Sequence, residues 1–319
     1  MNIIGVVTSG GDCPGMNAAI RAVVRVALSR GMEVWGVKNG YAGMIANDIV
    51  LLNSRSVGDI IQKGGTFLGT ARSEEFKTPE GRRKAVANLQ QKGIEGLIVI
   101  GGDGSLTGAR MLEELGVRVV GLPGTIDNDM WGTDYTIGFD TAVNTVLDAI
   151  NKLRDTASAH GRVMVVEVMG RHSGMIALTA GLAGGAEIIL IPEVPFDLDE
   201  ICEQLKASRQ KGKSFSIVMV AEGAGSAIDV GERIREKTGL ETRVSVLGHI
   251  QRGGAPTVTD RLLASRLAEA AVIKLHQGES GIMMGYHNNT VVAVDIADAV
   301  SKKREVNSEL VELANILAQ

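Results

Sequence analysis

Asp127 and Asp129 stand one residue apart in Pro123-Gly124-Thr125-Ile126-Asp127-Asn128-Asp129, directly after the apolar run Val117–Leu122. Alone, Asp-Asn-Asp after a strand reads as a turn, because these side chains hydrogen-bond their own backbone. A second acid in a similar place changes that reading. Asp103 lies in Gly101-Gly102-Asp103-Gly104-Ser105, which follows the apolar run Leu97–Ile100 and opens a helical pattern. Glycine-rich turns from strand to helix present bare amides and a helix N-terminus, which suit phosphate oxygens. A carboxylate in such a turn repels phosphate unless a cation such as Mg²⁺ lies between them. A related turn, Ser9-Gly10-Gly11-Asp12-Cys13-Pro14-Gly15, follows Ile3–Thr8. Acids gathered beside two such turns can divide the work: one holds metal while another takes a proton from an attacking hydroxyl.

The second half of the chain supplies the opposite charge. Arg171 ends the stretch Glu167-Val168-Met169-Gly170-Arg171, Glu222 follows Ala221, and His249 and Arg252 lie in Gly248-His249-Ile250-Gln251-Arg252-Gly253-Gly254. Each follows an apolar run, so the set suits a phosphorylated sugar or similar polyanion, with Glu222 placed for a hydroxyl. A single arginine of this kind reads as a solvated surface charge; agreement among several strand ends argues for a site. Arg162 and Arg243 break the pattern, since each precedes its strand. A strand of about six residues spans roughly 20 Å, so they are either ordinary surface charges or reach a neighbouring subunit, and spacing leaves both open.

The elements that position these residues are short apolar runs: Ile3–Thr8, Glu33–Val37, Leu97–Ile100, Val117–Leu122, Val163–Val168, Ile188–Ile191, Ile217–Ala221 and Val244–Leu247. Continuous rather than alternating, they predict parallel strands covered on both faces, with amphipathic helices between. In Phe139–Ala159, residues Val143, Val146, Leu147, Ile150 and Leu153 form one apolar stripe, and Asp140 or Thr141 can cap its start. The expected fold is α/β: two doubly wound, mostly parallel three-layer sandwich domains, with ligands at the carboxyl ends of the strands. Neither glycine-rich turn fits a named nucleotide fingerprint. The spacing Gly102, Gly104, Gly108 is one residue too long for G-x-G-x-x-G, and Gly212-Lys213-Ser214 has Ala207 where a Walker A loop begins.

With 45% hydrophobic residues among 319, the chain can bury the cores of two domains. Its 41 glycines are roughly twice the average share and fall at the ends of apolar runs, as turns and close approaches to ligand do. A net charge of −4 with 3% aromatics lacks the basic field and stacking rings of general nucleic-acid binding. Cys13 and Cys202 are too few for a disulfide framework, and no apolar run reaches membrane-spanning length. With no charged-then-apolar leader in the sequence, the expectation is a soluble protein of a reducing compartment, the cytoplasm. Cys13 reads as a small buried residue.

Together these stretches resemble the ATP-dependent 6-phosphofructokinases of bacterial type along essentially the whole chain. The matching motifs are TSGGDCPGMNAAIR, GGDGS, PGTIDND, GFDTAVNT, EVMGRHSG, VAEG and GHIQRGG. The resemblance implies transfer of the ATP γ-phosphoryl to the 1-hydroxyl of fructose 6-phosphate, with Mg²⁺. It implies an ATP and Mg²⁺ domain of residues 1–138 plus 251–305, a fructose 6-phosphate domain of residues 139–250 plus 306–319, and an active site in the cleft between them. It implies Asp127 as general base, with Thr125 beside it, Asp129 supporting the metal or local field, and Arg171 meeting the transferring group. Asp103 is implied as the Mg²⁺ residue, and Gly11, Arg72, Ser73, Gly102, Gly104 and Ser105 as the rest of the nucleotide pocket. The sugar-phosphate set is Thr125, Ile126, Asp127, Met169, Gly170, Arg171, Glu222, His249, Ile250, Gln251 and Arg252, with Arg162 and Arg243 donated by the adjacent subunit. That last feature implies a homotetramer with shared sites.

Further implications concern regulation and the phosphoryl donor. Arg21, Arg25, Arg154, Gly185, Ala186, Glu187, Lys211 and Lys213 match a subunit-interface site for ADP or GDP activation and phosphoenolpyruvate inhibition; by themselves Arg21 and Arg25 read as a solvated basic face. Ser214 stands where many relatives have lysine, and Arg55 is a candidate substitute for an effector arginine. Relatives that use pyrophosphate carry Asp and Lys where this chain has Gly104 and Gly124, which favours ATP. Leu106-Thr107 and Met130-Trp131 depart from commoner residues. The competing expectations are a pyrophosphate-linked enzyme and a non-catalytic nucleotide-sensing module.

Overall fold

Five of the six residues in the first strand, β1 (Ile3–Thr8), are buried, which is what a strand covered on both faces requires. In the computed structural model, which describes residues 1–318, it is followed by α1 (Met16–Ser29), β2 (Glu33–Val37), α2 (Gly40–Ile45), β3 (Ile49–Leu52), α3 (Pro79–Gln91), β4 (Gly96–Gly101), α4 (Asp103–Glu113) and β5 (Arg118–Pro123). The chain continues through α5 (Phe139–His160), β6 (Val163–Val168), α6 (Met175–Ala183), β7 (Ile188–Leu190), α7 (Leu198–Gln210), β8 (Ser216–Ala221), α8 (Ala227–Thr238) and β9 (Thr242–Val246). It ends with α9 (Val258–His276), β10 (Ile282–His287), β11 (Thr290–Asp295), α10 (Ile296–Ser301) and α11 (Ser308–Leu317).

Two compact units result. The first comprises Met1–Ile126, Met130–Thr141 and Arg252–Arg304; the second comprises Asp127–Asp129, Ala142–Gln251 and the segment from Glu305 onward. The first sheet has the order β11-β10-β5-β4-β1-β2-β3. Its inner pairs are parallel, while β3 and β11 lie antiparallel at the edges. Val7, Leu97, Val99 and Val119 pack with α2, α3, α4 and α10, and α9, paired with α1, contacts the strands as well. Each such large side chain, fully buried, contributes on the order of 2 kcal/mol. The second sheet, β7-β8-β6-β9, is parallel throughout. Its Val163, Val165, Val218 and Val220 form a core with α7 and α8, and α6 packs on β7 and β8.

Both units are therefore the mostly parallel three-layer sandwiches that the apolar runs predict, with three additional strands. β3 is a short apolar run, Ile49-Val50-Leu51-Leu52, with an exposed Leu51; β10 is interrupted by Gly285; and β11 lies at an edge with only Val294 buried. One expectation is corrected: Arg243 does not precede its strand but is the second residue of β9, pairing with Met164. The polar start of this edge strand, Thr242 and Arg243, hid it.

Among the described residues no helix is long and apolar enough to cross a membrane. The tightest backbone approach in the first unit is at Gly43, where an added Cβ would lie 1.7 Å from the Lys38 carbonyl oxygen. Gly43→Ala must therefore push α2 away from the end of β2. It is expected to lower unfolding free energy by about 3 kcal/mol or more, read by urea denaturation; an unchanged midpoint would show that this contact is not a constraint.

Candidate active site

The two glycine-rich turns of the first unit are braced by hydrogen bonds that spacing in the sequence does not suggest. Thr70 Oγ1 donates to the Gly10 carbonyl at 2.7 Å, and Thr8 Oγ1 donates to the Gly69 carbonyl at 2.9 Å. Buried Asn17 donates to the carbonyls of Lys63 and Gly64 and accepts the Phe67 amide at 2.7 Å. The segment leading to Arg72 and Ser73 is thereby held on the first turn; Ser73 Oγ accepts the Phe76 amide at 3.2 Å. Gly11 lies against Arg252: a Cβ there would lie 2.5 Å from Arg252 Nη1, which donates to the Asp12 carbonyl at 3.1 Å. Cys13 is buried, with its Cβ 2.6 Å from where Gly138 would carry one.

Asp103 begins α4 and is exposed; its Oδ1 accepts the Gly104 amide at 2.7 Å. Gly102 caps this helix without a side chain, so the positive end of its dipole is available to an anion. Beneath it, the Tyr41 hydroxyl donates to the Ser105 carbonyl at 2.5 Å, and the Tyr41 ring stacks on Phe76 at 3.9 Å. Burial pushes the Tyr41 phenol pKa upward, so it keeps its proton and remains a donor. Leu106 is fully buried in the core of the first unit, and Thr107 Oγ1 bonds the Asp103 carbonyl at 2.8 Å. Leu106 thus serves core packing and Thr107 helix support.

β5 lies beside β4 with Pro123 opposite Gly101, so the loops bearing Asp103 and Asp127 start from neighbouring strand ends. The Gly124 amide donates to the Gly101 carbonyl at 3.0 Å, and Thr136 Oγ1 donates to the Thr125 carbonyl at 2.6 Å. Thr125 faces Gly102, whose added Cβ would lie 3.6 Å from the Thr125 Cβ. After Ile126 the chain enters the second unit. There Asp127 is buried and its carbonyl accepts Ser173 Oγ at 3.0 Å, while Asn128 has a left-handed backbone and Asp129 is half-buried. Trp131, after the loop returns to the first unit, lies under Lys302 at 4.4 Å, and Met130 bridges to Lys303.

The second unit brings together most of the expected sugar-side residues. Glu222 Oε1 accepts the amides of Gly170 at 3.2 Å and Arg171 at 2.7 Å. Arg171 is exposed with φ +55°, a conformation that a non-glycine residue adopts at a cost and that collects at functional sites. Buried Gln251 accepts the Met169 amide at 3.2 Å and donates to the Gly248 carbonyl at 2.9 Å. His249 and Ile250 are exposed in the same short helical turn, whereas Arg252, the next residue after Gln251, belongs to the first unit.

Arg162 and Arg243 are also joined. Arg162 Nε and Arg243 Nη2 both lie 2.8 Å from Glu241 Oε1, so one carboxylate orients two guanidiniums. Of the expected effector residues, Glu187 bonds Lys213 Nζ at 3.1 Å and accepts the Ile217 amide at 2.5 Å. Arg154 donates to the carbonyls of Gly184 and Gly185, over Phe215. Ala186 is buried beside them and Lys211 is exposed at the end of α7. Arg21 and Arg25 lie on α1 in the first unit, half-buried and exposed, and Arg55 is exposed in a turn held by Asn53. Sequence reasoning missed Tyr41, Asn17, Ser173 and Glu241, because each acts through backbone or a distant partner; a polar residue inside an apolar stripe, as Asn17 is, was the one available signal.

A family profile described as Phosphofructokinase matches residues 3–275. The chain is 59% identical over 318 residues to a Bacillus subtilis protein named ATP-dependent 6-phosphofructokinase, with 100% of both chains covered. It is 56% identical over 331 residues to a protein of the same name from Halothermothrix orenii, again with 100% of both covered. Among solved structures, it is similar to a phosphofructokinase from Saccharomyces cerevisiae, with a TM-score of 0.90 and 38% identity over 100% of this chain and 48% of that one.

The left-handed backbone at Arg171 yields a direct test. With the side chain removed in both variants, Arg171→Gly is expected to be more stable than Arg171→Ala by about 1 kcal/mol, since glycine adopts this conformation without a Cβ clash. Equal urea midpoints would mean that the backbone relaxes.

Proposed function

The chain belongs to the phosphofructokinase family, and from that premise we propose that it transfers the γ-phosphoryl group of ATP to the 1-hydroxyl of fructose 6-phosphate, giving fructose 1,6-bisphosphate and ADP. The observation that carries the assignment of roles is the placement of Asp103 and Asp127 after neighbouring strands, with Thr125 against the Gly102 turn. Asp127 takes the proton of the sugar hydroxyl as the new P–O bond forms. Arg171 stabilises charge on the transferring group, and Asp129 supports the local field. Gly11, Arg72, Ser73, Gly102, Gly104 and Ser105 receive the nucleotide phosphates; Ile126, Met169, Gly170, Glu222, His249, Ile250, Gln251 and Arg252 receive the sugar phosphate.

The donor set fits Mg²⁺ carried with its substrate. Among the described residues no group of His, Cys, Asp and Glu forms a metal cage, and magnesium in phosphoryl transfer takes one or two carboxylates and fills its shell with phosphates and water. Exposed Asp103 would hold it, and the ion would neutralise charge on the β- and γ-phosphates. ATP is favoured over pyrophosphate by two glycines. Gly104 is open, with nothing within 4 Å of an added Cβ, so its bareness is not imposed by protein packing and leaves room for a nucleotide. At Gly124 a Cβ would press on Ile100 and Met16 at 3.1 and 3.3 Å, which opposes the lysine of pyrophosphate-linked relatives.

Oligomerisation and regulation belong to the same reading. The Glu241-held pair Arg162 and Arg243 suits donation to an adjacent subunit's sugar phosphate in a homotetramer. The cluster of Arg154, Gly185, Ala186, Glu187, Lys211 and Lys213, with Arg21 and Arg25, suits ADP or GDP and phosphoenolpyruvate as effectors. The proposed compartment is the cytoplasm.

In a coupled assay with fructose 6-phosphate, ATP with Mg²⁺ is expected to support turnover while pyrophosphate or omission of the metal does not; equal rates with pyrophosphate would overturn the donor assignment. Asp127→Ser is expected to lower kcat by about 10²–10⁴-fold with little change in sugar-phosphate affinity, since a base acts mainly in the transition state; near-parental turnover would exclude Asp127 as the base. ADP is expected to lower, and phosphoenolpyruvate to raise, the half-saturating fructose 6-phosphate concentration, and a flat response to both would remove the effector assignment.

A further inference from the structure

Asp260, in the first turn of α9, is fully buried and matches none of the expected site residues. Its Oδ1 accepts the Gly138 amide at 2.8 Å; its Oδ2 accepts the Thr141 amide at 2.8 Å and the Thr141 hydroxyl at 2.5 Å. The bonding is reciprocal. Thr257, the N-cap of α9, accepts the Asp260 amide at 3.3 Å, donates its hydroxyl to Asp140 Oδ2 at 2.5 Å, and donates its own amide to Thr141 Oγ1 at 3.0 Å. The first turns of α5 and α9 are thus bonded to each other, and Asp140 and Asp260 sit among positive dipole ends and orphan amides that would otherwise repel or go unmet.

Burial, helped by the nearby Asp140 charge and opposed by the bonds from Thr141 and Gly138, pushes the Asp260 carboxyl up to about 6. A buried carboxylate is a costly way to cap a helix that an ordinary Ser or Thr could cap. What the node joins gives a reason for it. On one side, Ile137, next to Gly138, donates its amide to the Pro123 carbonyl at 2.9 Å, and Thr136 holds the Thr125 carbonyl at 2.6 Å, two residues before Asp127 in the chain. On the other, Arg252 lies five residues before Thr257 and is bonded to the Asp12 carbonyl beside Gly11. The first glycine-rich turn touches the node too: a Cβ on Gly15 would lie 3.6 Å from the Asp260 Cβ, and one on Gly138 would lie 2.6 Å from Cys13.

We propose that Asp260 is a positioning residue for phosphoryl transfer, fixing through Gly138 and Thr141 the backbone that carries Thr125 and the loop that carries Arg252. This rests on the roles assigned above to Thr125, Asp127 and Arg252. Asp260→Asn keeps the shape but turns an amide N–H₂ toward donors, so the loops shift while the reacting groups stay chemically intact. A displacement of about 1 Å costs up to roughly 100-fold in rate.

The test compares Asp260→Asn with Leu267→Ala, a cavity variant of a fully buried residue on the same helix. Each is assayed at the same interval below its own melting temperature, and kcat is normalised to folded protein measured by circular dichroism. Asp260→Asn is expected to lose kcat by roughly tenfold or more, while Leu267→Ala loses melting temperature and keeps kcat. If Asp260→Asn turns over as Leu267→Ala does, the role is structural and the inference is overturned. Should Asp260→Asn fail to fold, Thr141→Val and Thr141→Ser decide the matter: turnover lost in Thr141→Val is restored in Thr141→Ser, and equal turnover of the two overturns the inference. Asp127→Ser, assayed in parallel, separates the two claims. Normal turnover there removes the reading on which the inference rests, whereas an inactive Asp127→Ser beside an active Asp260→Asn removes the positioning role alone.

Discussion

A parallel strand covered on both faces has no place for a polar side chain except at its ends. In the first unit, β1, β4 and β5 are buried through nearly their whole length, so everything that can bind or react is carried by the turns that follow them. That constraint explains why the acids follow strands, why glycine accumulates there, and why bare helix N-termini, which suit phosphate, stand beside those acids. On the proposed reading, a single carboxylate, Asp103, would suffice for magnesium, because most of the charge that the ion would balance arrives with the nucleotide.

Turns rich in glycine are conformationally loose, and a phosphoryl-transfer site needs them fixed. The structure meets this with polar residues placed behind the turns. Asn17 and Thr70 tie the segment before Arg72 to the first turn, Tyr41 supports Ser105 from below, and Asp260 with Thr257 locks the start of α5 to the start of α9. None of these touches the expected position of a reacting atom. Their shared property is that each bonds backbone groups of a turn, and at Ser105, Gly138 and Thr141 those groups are buried, where an unmet donor or acceptor costs more than the bond gains.

The second unit uses the same device with its charges reversed. Glu222 bonds two successive amides of the Met169–Arg171 turn and thereby holds Arg171 in a left-handed conformation, with its side chain exposed. Glu241 does the corresponding work for Arg162 and Arg243. In each case a carboxylate orients a guanidinium or the backbone beneath it, so that less conformational freedom remains to be lost when a phosphate binds.

By itself the sequence determined the α/β class, eight of the strands, the long helix from Phe139, and the acids and arginines that follow those strands, because continuous apolar runs and glycine-rich turns are local signals. It also carried the family resemblance through motifs whose residue types are dictated by phosphate chemistry. The tertiary structure alone decided what depends on pairing between distant segments: the antiparallel edge strands β3 and β11, the place of Arg243 inside β9, the core-facing Leu106, and the network of Asp260 with Gly138 and Thr141 across more than a hundred residues of chain. An edge strand takes its partners from a neighbour, and a buried carboxylate takes its donors from wherever the fold brings unmet amides. Neither leaves a periodic trace in the residues on either side.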